Sequence, residues 1–371
     1  MLDPREHIRR RPQLYFGGTD LKALHYLLNE VIDFAVESVF VGKSDSIEIR
    51  LKPDNFIMIS DNDQVLPALL TANDFHEKTQ QSLLDYWLAT YRFDPSIKAM
   101  NYRVNGHHRS IGIDGINPVA TYLNITVCNG YIIWKRTYRK GLPHGAYQRI
   151  QLKNVHATGV TIEFQPDFTI MDKNEFDYDR IAKRCRDIAV TLPDLTIILI
   201  DERSTQTRHD IFHYADGIQE LVRELNEGKV VLHDLIYVKG IAPLKTHNGK
   251  QDIHVEVALQ FTDSDDITIQ SFVNSVRLEH GGTHIEGFKH ALSGYLNASR
   301  FQPASWEEIA KGLTAVVNVL FPNHEFEGYP TYKLMNPEAF DAVVSILYPH
   351  LIQSNLRKMQ RNWELASHFK Q

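Results

Sequence analysis

The sequence is poor in cysteine: Cys128 and Cys185 are the only two in 371 residues. Two thiols cannot build a disulfide framework and offer no metal-ligand spacing, so a reducing, cytoplasmic setting is expected. Long apolar runs are also missing. No stretch approaches ~18 residues, which argues against a membrane span. The opening Met1-Leu2-Asp3-Pro4-Arg5 lacks the apolar centre of a secretory signal. Nor is there an excess of positive charge. Lys and Arg number 40 against 46 Asp and Glu, for a net charge of -6. A grip on nucleic acid by the chain as a whole is therefore not expected. What remains is an ordinary globular composition, 43% hydrophobic and 23% charged. At ~150 residues per domain the length allows two or three domains.

Thr19 or Asp20 can cap a helix running to about Gly42. Leu24, Leu27, Leu28, Val31, Ala35 and Val39 form its apolar stripe, and Glu30, Asp33, Phe34 and Glu37 share an adjacent face. Ser46 to Lys52, a Pro53-Asp54-Asn55 turn and Phe56 to Ser60 read as a hairpin. Residues 70–110 read as a helix and a long loop, and Ile111 to Tyr122 as a loop entering a helix. Strands are expected at Leu123–Cys128, Tyr131–Tyr138, Tyr147–Leu152, Gly159–Gln165 and Thr196–Ile200, with a helix over Asp177–Thr191. A linker is expected between Asp201 and Gly217. Beyond it, helices are expected near 217–225, 284–295, 305–311 and from Pro337 onward, and strands near 231–237, 254–262 and 267–273. The pattern is α+β throughout.

Several segments resemble one family. Arg9-Arg10-Arg11-Pro12-Gln13-Leu14-Tyr15-Phe16-Gly17-Gly18 is similar to the opening motif of the gyrase B and topoisomerase IV ATPase subunits. Asn29-Glu30-Val31-Ile32-Asp33 resembles its first long helix, Ile59-Ser60-Asp61 through Leu66-Pro67 its adenine loop, and Thr158-Gly159 its threonine–glycine strand. Phe212-His213-Tyr214, Val255 to Gln260 and Gly281-Gly282-Thr283-His284 resemble the transducer domain. The resemblance implies an ATPase-like α/β sandwich of the GHKL (Bergerat) type over 1–212. A transducer domain of ribosomal protein S5 domain 2-like type would follow over 213–371. It also places the family's TOPRIM domain outside this chain, so the chain alone is expected not to cut DNA.

The resemblance assigns site residues one by one. Glu30 falls on the general base and Asp61 on the adenine-reading carboxylate. Val31, Asp33, Leu66, Gly106, Gly112 and Val160 fall on nucleotide-binding positions. Phe34 takes the place of the magnesium-binding Asn, and a phenyl ring offers no oxygen to a hard cation. Asn62-Asp63-Gln64-Val65 replaces a glycine-bearing turn, and only the outer glycines of the phosphate lid, Gly106 and Gly112, are kept. Thr331 falls on the catalytic lysine of the transducer, with Lys333 as a candidate substitute. The family's coumarin-binding Arg falls on Asn129. The subunit-closing N-terminal arm is missing, which argues against ATP-driven dimerisation. ATP with Mg²⁺ is the implied cofactor, and these departures weigh against its efficient turnover. The expected function is a gyrase-B-like pseudoenzyme that binds or mimics a topoisomerase subunit, with only indirect contact to DNA. The alternative is a divergent ATP-hydrolysing half of a split topoisomerase. The basic cluster Lys183-Arg184-Arg186 is expected to be a solvated helix face.

Overall fold

A computed structural model describes residues 4–40, 42–64, 85, 104, 112–246, 249–298, 300–322, 324–327, 333–354 and 356. The chain forms two compact units, divided near residue 213, with 190–193 joining the second.

The first unit begins with two short helices, α1 (Pro4–Arg10) and α2 (Pro12–Phe16), and the long α3 (Leu21–Phe40). Asp20 caps α3, its Oδ1 accepting the Ala23 N–H at 3.1 Å. The apolar stripe of α3 is buried as its spacing requires, except for the half-buried Val39, and so are Glu30, Asp33, Phe34, Glu37 and Ser38. The hairpin β1 (Ser46–Lys52) and β2 (Phe56–Asp61) follows, and its turn places Asp54 and Asn55 at positive φ. Next come α4 (Gly112–Ile116), β3 (Ala120–Asn129), β4 (Ile132–Arg139), β5 (Leu142–Gln151), β6 (Thr158–Pro166), α5 (Tyr178–Thr191), β7 (Thr196–Asp201) and β8 (Arg208–Phe212). The strands form one sheet in the order β5-β4-β3-β6-β2-β1-β7-β8. One face buries Ile47, Ile49, Ile57, Ile59, Ile162 and Phe164. The other carries polar pairs such as Lys52–Glu163 and Ser60–Thr161. This is period-two alternation across a half-covered sheet.

The second unit contains α6 (Ile218–Leu225), β9 (Ile236–Thr246), β10 (Gly249–Phe261), β11 (Thr268–Val273), β12 (Val276–Arg277), α7 (Thr283–Asn297), α8 (Trp306–Ile309), β13 (Leu313–Leu320), β14 (Phe326–Glu327), β15 (Lys333–Leu334) and α9 (Pro337–Gln353). Its main sheet runs β12-β11-β13-β10-β9. α7 and α9 bring Phe288, Leu292, Val343 and Leu347 to a core shared with Val255, Val257 and Val317. Gly287 lets the two helices meet: a Cβ there would lie 2.6 Å from the Phe340 carbonyl oxygen. α6 packs Ile218, Leu221 and Val222 against Ala258, Phe272 and Val316.

Four expectations are corrected. The division between the units falls after His213, inside the interval expected to hold the linker, but that interval also contains β8, an edge strand paired only with β7 among the described residues and too polar to announce itself. The helix expected to run to Tyr122 stops at Ile116 and passes into a 3-10 turn over Asn117–Val119 before β3 begins, Pro118 having no N–H to extend the α-helical ladder. The strand expected from Val231 starts at Ile236, leaving an isolated bridge from Val231 to Thr262. β13 has no counterpart among the expected strands. It lies between β10 and β11, and seven of its eight residues are buried. Leu313 to Leu320 is an unbroken apolar-rich run without alternation, which fits a strand covered on both faces. The helix and loop expected over 70–110 lie outside the described residues, apart from Asp85 and Val104.

Candidate functional site

The corner where β2 meets β6 is built around Asp61. Its Oδ1 accepts two backbone N–H groups, from Asp63 and Val160, each at 3.0 Å. Burial, reinforced by the neighbouring Asp63 carboxylate, pushes the Asp61 carboxyl up to about 7 against these hydrogen bonds. Val160 is the cross-strand partner of Asp61, and it is buried. Thr161 turns to the other face and hydrogen-bonds Ser60 at 3.1 Å, as strand alternation requires. Gly159 makes the corner possible. A Cβ there would lie 2.1 Å from the Asp61 carbonyl oxygen.

Asn62, in the substituted turn, is a staple that sequence reasoning missed. Its Oδ1 accepts from the Ser44 hydroxyl and the Asp45 and Ser46 amides, and its Nδ2 donates to Asp45 at 2.7 Å. It ties β2 to the approach into β1. Only the preference of Asn for side-chain-to-backbone turns hinted at this. Asn129 likewise serves its turn, accepting from the Tyr131 and Ile132 amides.

α3 and α4 meet through Glu30. The buried Glu30 accepts the Gly112 N–H on Oε2 at 2.8 Å. Gly112 has φ 65, a left-handed conformation that suits glycine. Val31 is fully buried in the helix core, and Phe34 is 7% exposed. Asp33 points to α5 and pairs with Arg184 at 2.7 Å. Arg184 is therefore a half-buried structural partner, which corrects the solvated reading of that basic cluster. Two mostly buried side chains in a charge-assisted pair hold α3 against α5.

In the second unit the Gly281-Gly282-Thr283-His284 segment clamps β15. The Leu334 N–H donates to the Gly281 carbonyl at 3.0 Å, and Thr283 Oγ1 donates to the Asn336 carbonyl at 2.6 Å. A Cβ on Gly282 would lie 2.4 Å from the Leu334 oxygen. His284 is fully buried and contacts the Ser271 hydroxyl at 2.6 Å. Burial alone lowers it to about 3, so it is neutral at physiological pH. Lys333 faces Glu286 at 3.4 Å. Leu66, Gly106 and Thr331 lie outside the described residues.

The donor set does not fit a magnesium ion at position 34, where only carbon faces the surroundings. No group of three or more His, Cys, Asp or Glu side chains that could hold a metal occurs among the described residues. No described helix is long and apolar enough to cross a membrane.

A family model described as DNA gyrase B matches residues 217–367. The chain is 32% identical to the DNA gyrase B protein of Archaeoglobus fulgidus, over 95% of this chain and 55% of that protein. It is also 32% identical to the DNA topoisomerase 4 B protein of Staphylococcus epidermidis, over 94% of this chain and 52% of that protein. The chain thus spans about half the length of the curated relatives it matches. Among solved structures, the 43K ATPase domain of Thermus thermophilus gyrase B, in complex with an aminocoumarin, superposes with a TM-score of 0.78. That match has 24% identity and covers 98% of this chain and 94% of that one. The topoisomerase IV ATP-binding domain of Francisella tularensis gives a TM-score of 0.67 at 19% identity, over 96% and 94% of the two chains. These two structural matches establish the fold.

Proposed function

We propose, from its likeness to gyrase B and topoisomerase IV B proteins, that this chain is an ATPase–transducer-like binding or regulatory module with little or no ATP turnover. It would act on, or in place of, a topoisomerase subunit. The observation that carries this is Phe34: a buried phenyl ring stands where the family resemblance calls for an oxygen ligand to Mg²⁺. Losing one preorganised electrostatic contact of this kind costs ~10²–10³ in rate.

The adenine end is better equipped. The Asp61 carboxylate is fixed by two backbone N–H groups and can accept from an exocyclic amine. The unbranched approach at Gly159 keeps β6 against it. Glu30 is held by Gly112, which orients a carboxylate but supplies no charge compensation for phosphate. Nucleotide recognition would then rest on the base rather than on a metal-bridged triphosphate.

The test is a calorimetric titration with a non-hydrolysable ATP analogue, with and without Mg²⁺, alongside an ATPase assay. Weak, Mg²⁺-independent binding and no turnover above background are expected. Tight Mg²⁺-dependent binding, with turnover abolished by Glu30→Gln, would establish the second reading, a divergent ATP-hydrolysing half of a split topoisomerase. The retained Glu30–Gly112 hydrogen bond is what favours that reading.

A further inference from the structure

Residues 115–162 contain no Asp or Glu but six Lys or Arg, in a chain whose net charge is -6. The whole excess sits on β4, β5, the turn between them and the loop beyond. β5 ends the first sheet, and β4 is its partner among the described residues. Nine of its ten residues are exposed, so it is a strand clear of the core on both faces.

The usable part of this edge can be located. Pro143 has no N–H to offer. Lys135 pairs with Gln148 and Thr137 with His144, so Gly145, Ala146 and Tyr147 bulge opposite Arg136 alone. Regular pairing holds from Gln148 to Gln151. That stretch and the turn beside it carry exposed Arg149 and Lys153. They also carry three exposed apolar side chains, Tyr131 at 58%, Ile150 at 41% and Val155 at 67%. Apolar anchors interleaved with cations are a protein-recognition pattern, whereas a phosphate backbone gives aliphatic groups no return.

We propose that the Gln148–Gln151 edge of β5 is a docking site for an extended acidic peptide segment of a partner protein, added to the sheet as a further strand. Main-chain hydrogen bonds would supply affinity. Alternate apolar and acidic side chains would meet Ile150, Tyr131 and Val155 on one side and Arg149 and Lys153 on the other. The site uses none of the nucleotide residues.

The probe is a fluorescein-labelled ten-residue peptide of alternating valine and glutamate, read by anisotropy on the full chain. Saturable binding is expected, at least tenfold weaker in the double variant Arg149→Glu, Lys153→Glu with its thermal midpoint unchanged. N-methylation of alternate peptide amides is expected to abolish binding while leaving the protein untouched. Equal binding of the N-methylated peptide, or of a peptide with lysine in place of glutamate, would overturn the proposal. So would displacement of the peptide by a short DNA duplex at lower concentration, which would assign the surface to nucleic acid.

Discussion

Asp61 carries a stability cost with a definite sign. Its carboxyl titrates near 7 in the folded chain against an ordinary value of 3.8. The folded state therefore binds more protons than the unfolded one between those values, and stability falls as pH rises through this window. Asp61→Asn keeps an oxygen for the Asp63 and Val160 amides and removes the charge. It is expected to gain about 2 kcal/mol near pH 8 and much less near pH 5, read as thermal midpoints at both. Base recognition through the ionised carboxylate runs the other way, so affinity for an adenine nucleotide should drop as pH falls below about 7. Phe34→Asn trades a buried ring for a polar amide and should cost about 3 kcal/mol. If the missing ligand is what silences the site, the same variant should gain Mg²⁺-dependent nucleotide binding, measurable by calorimetry at low temperature.

Two glycines decide whether neighbouring elements can touch. Gly159→Ala would drive a methyl into the Asp61 carbonyl, and Gly282→Ala into Leu334. Each backbone must move by more than half an ångström. A loss of about 3 kcal/mol or more is expected for either, seen as a lower midpoint in urea. Their surroundings also explain what the sequence disclosed. The strands β1, β2 and β6 were legible because their residues alternate between a buried and a less buried face, and α3 because its apolar residues recur at helical spacing although most of the helix is buried. β13 was not, since burial on both faces erases alternation, and β8 was not, since a polar edge looks like a loop. At the site, Asp61 and Val160 followed from the family resemblance, and only the outward turn of Thr161 follows from strand period. The roles of Asn62 and Arg184 depend on partners that lie 16–18 and 151 residues away, and single-residue reasoning cannot supply those.

At the scale of the molecule, the second unit reaches back past the apparent boundary. Val190 joins the core around Ile218 and Leu221, and Thr191 donates to the Ser275 hydroxyl at 2.7 Å. Gly217, at φ 57, packs on Pro193 and the Val190 carbonyl. A fragment starting at Val190 is expected to unfold cooperatively, and one starting at Tyr214 at a midpoint several degrees lower, checked by calorimetry. The resemblance made two units legible, but the return of 190–193 depends on long-range packing.

The pairing of β1 with β7 sets a timetable. Ile49 lies beside Leu199 in a parallel ladder, so the first sheet cannot close while the chain is still short. During synthesis the open edge of β2 must wait about 100 residues for β6, and that of β1 about 150 residues for β7. Such late closure implies high contact order and slow folding. The second unit brings its strands together within a much shorter span. On a ribosome the early half of this chain is the one that needs shelter from aggregation, and a chaperone would find its substrate in the unclosed flank of β1.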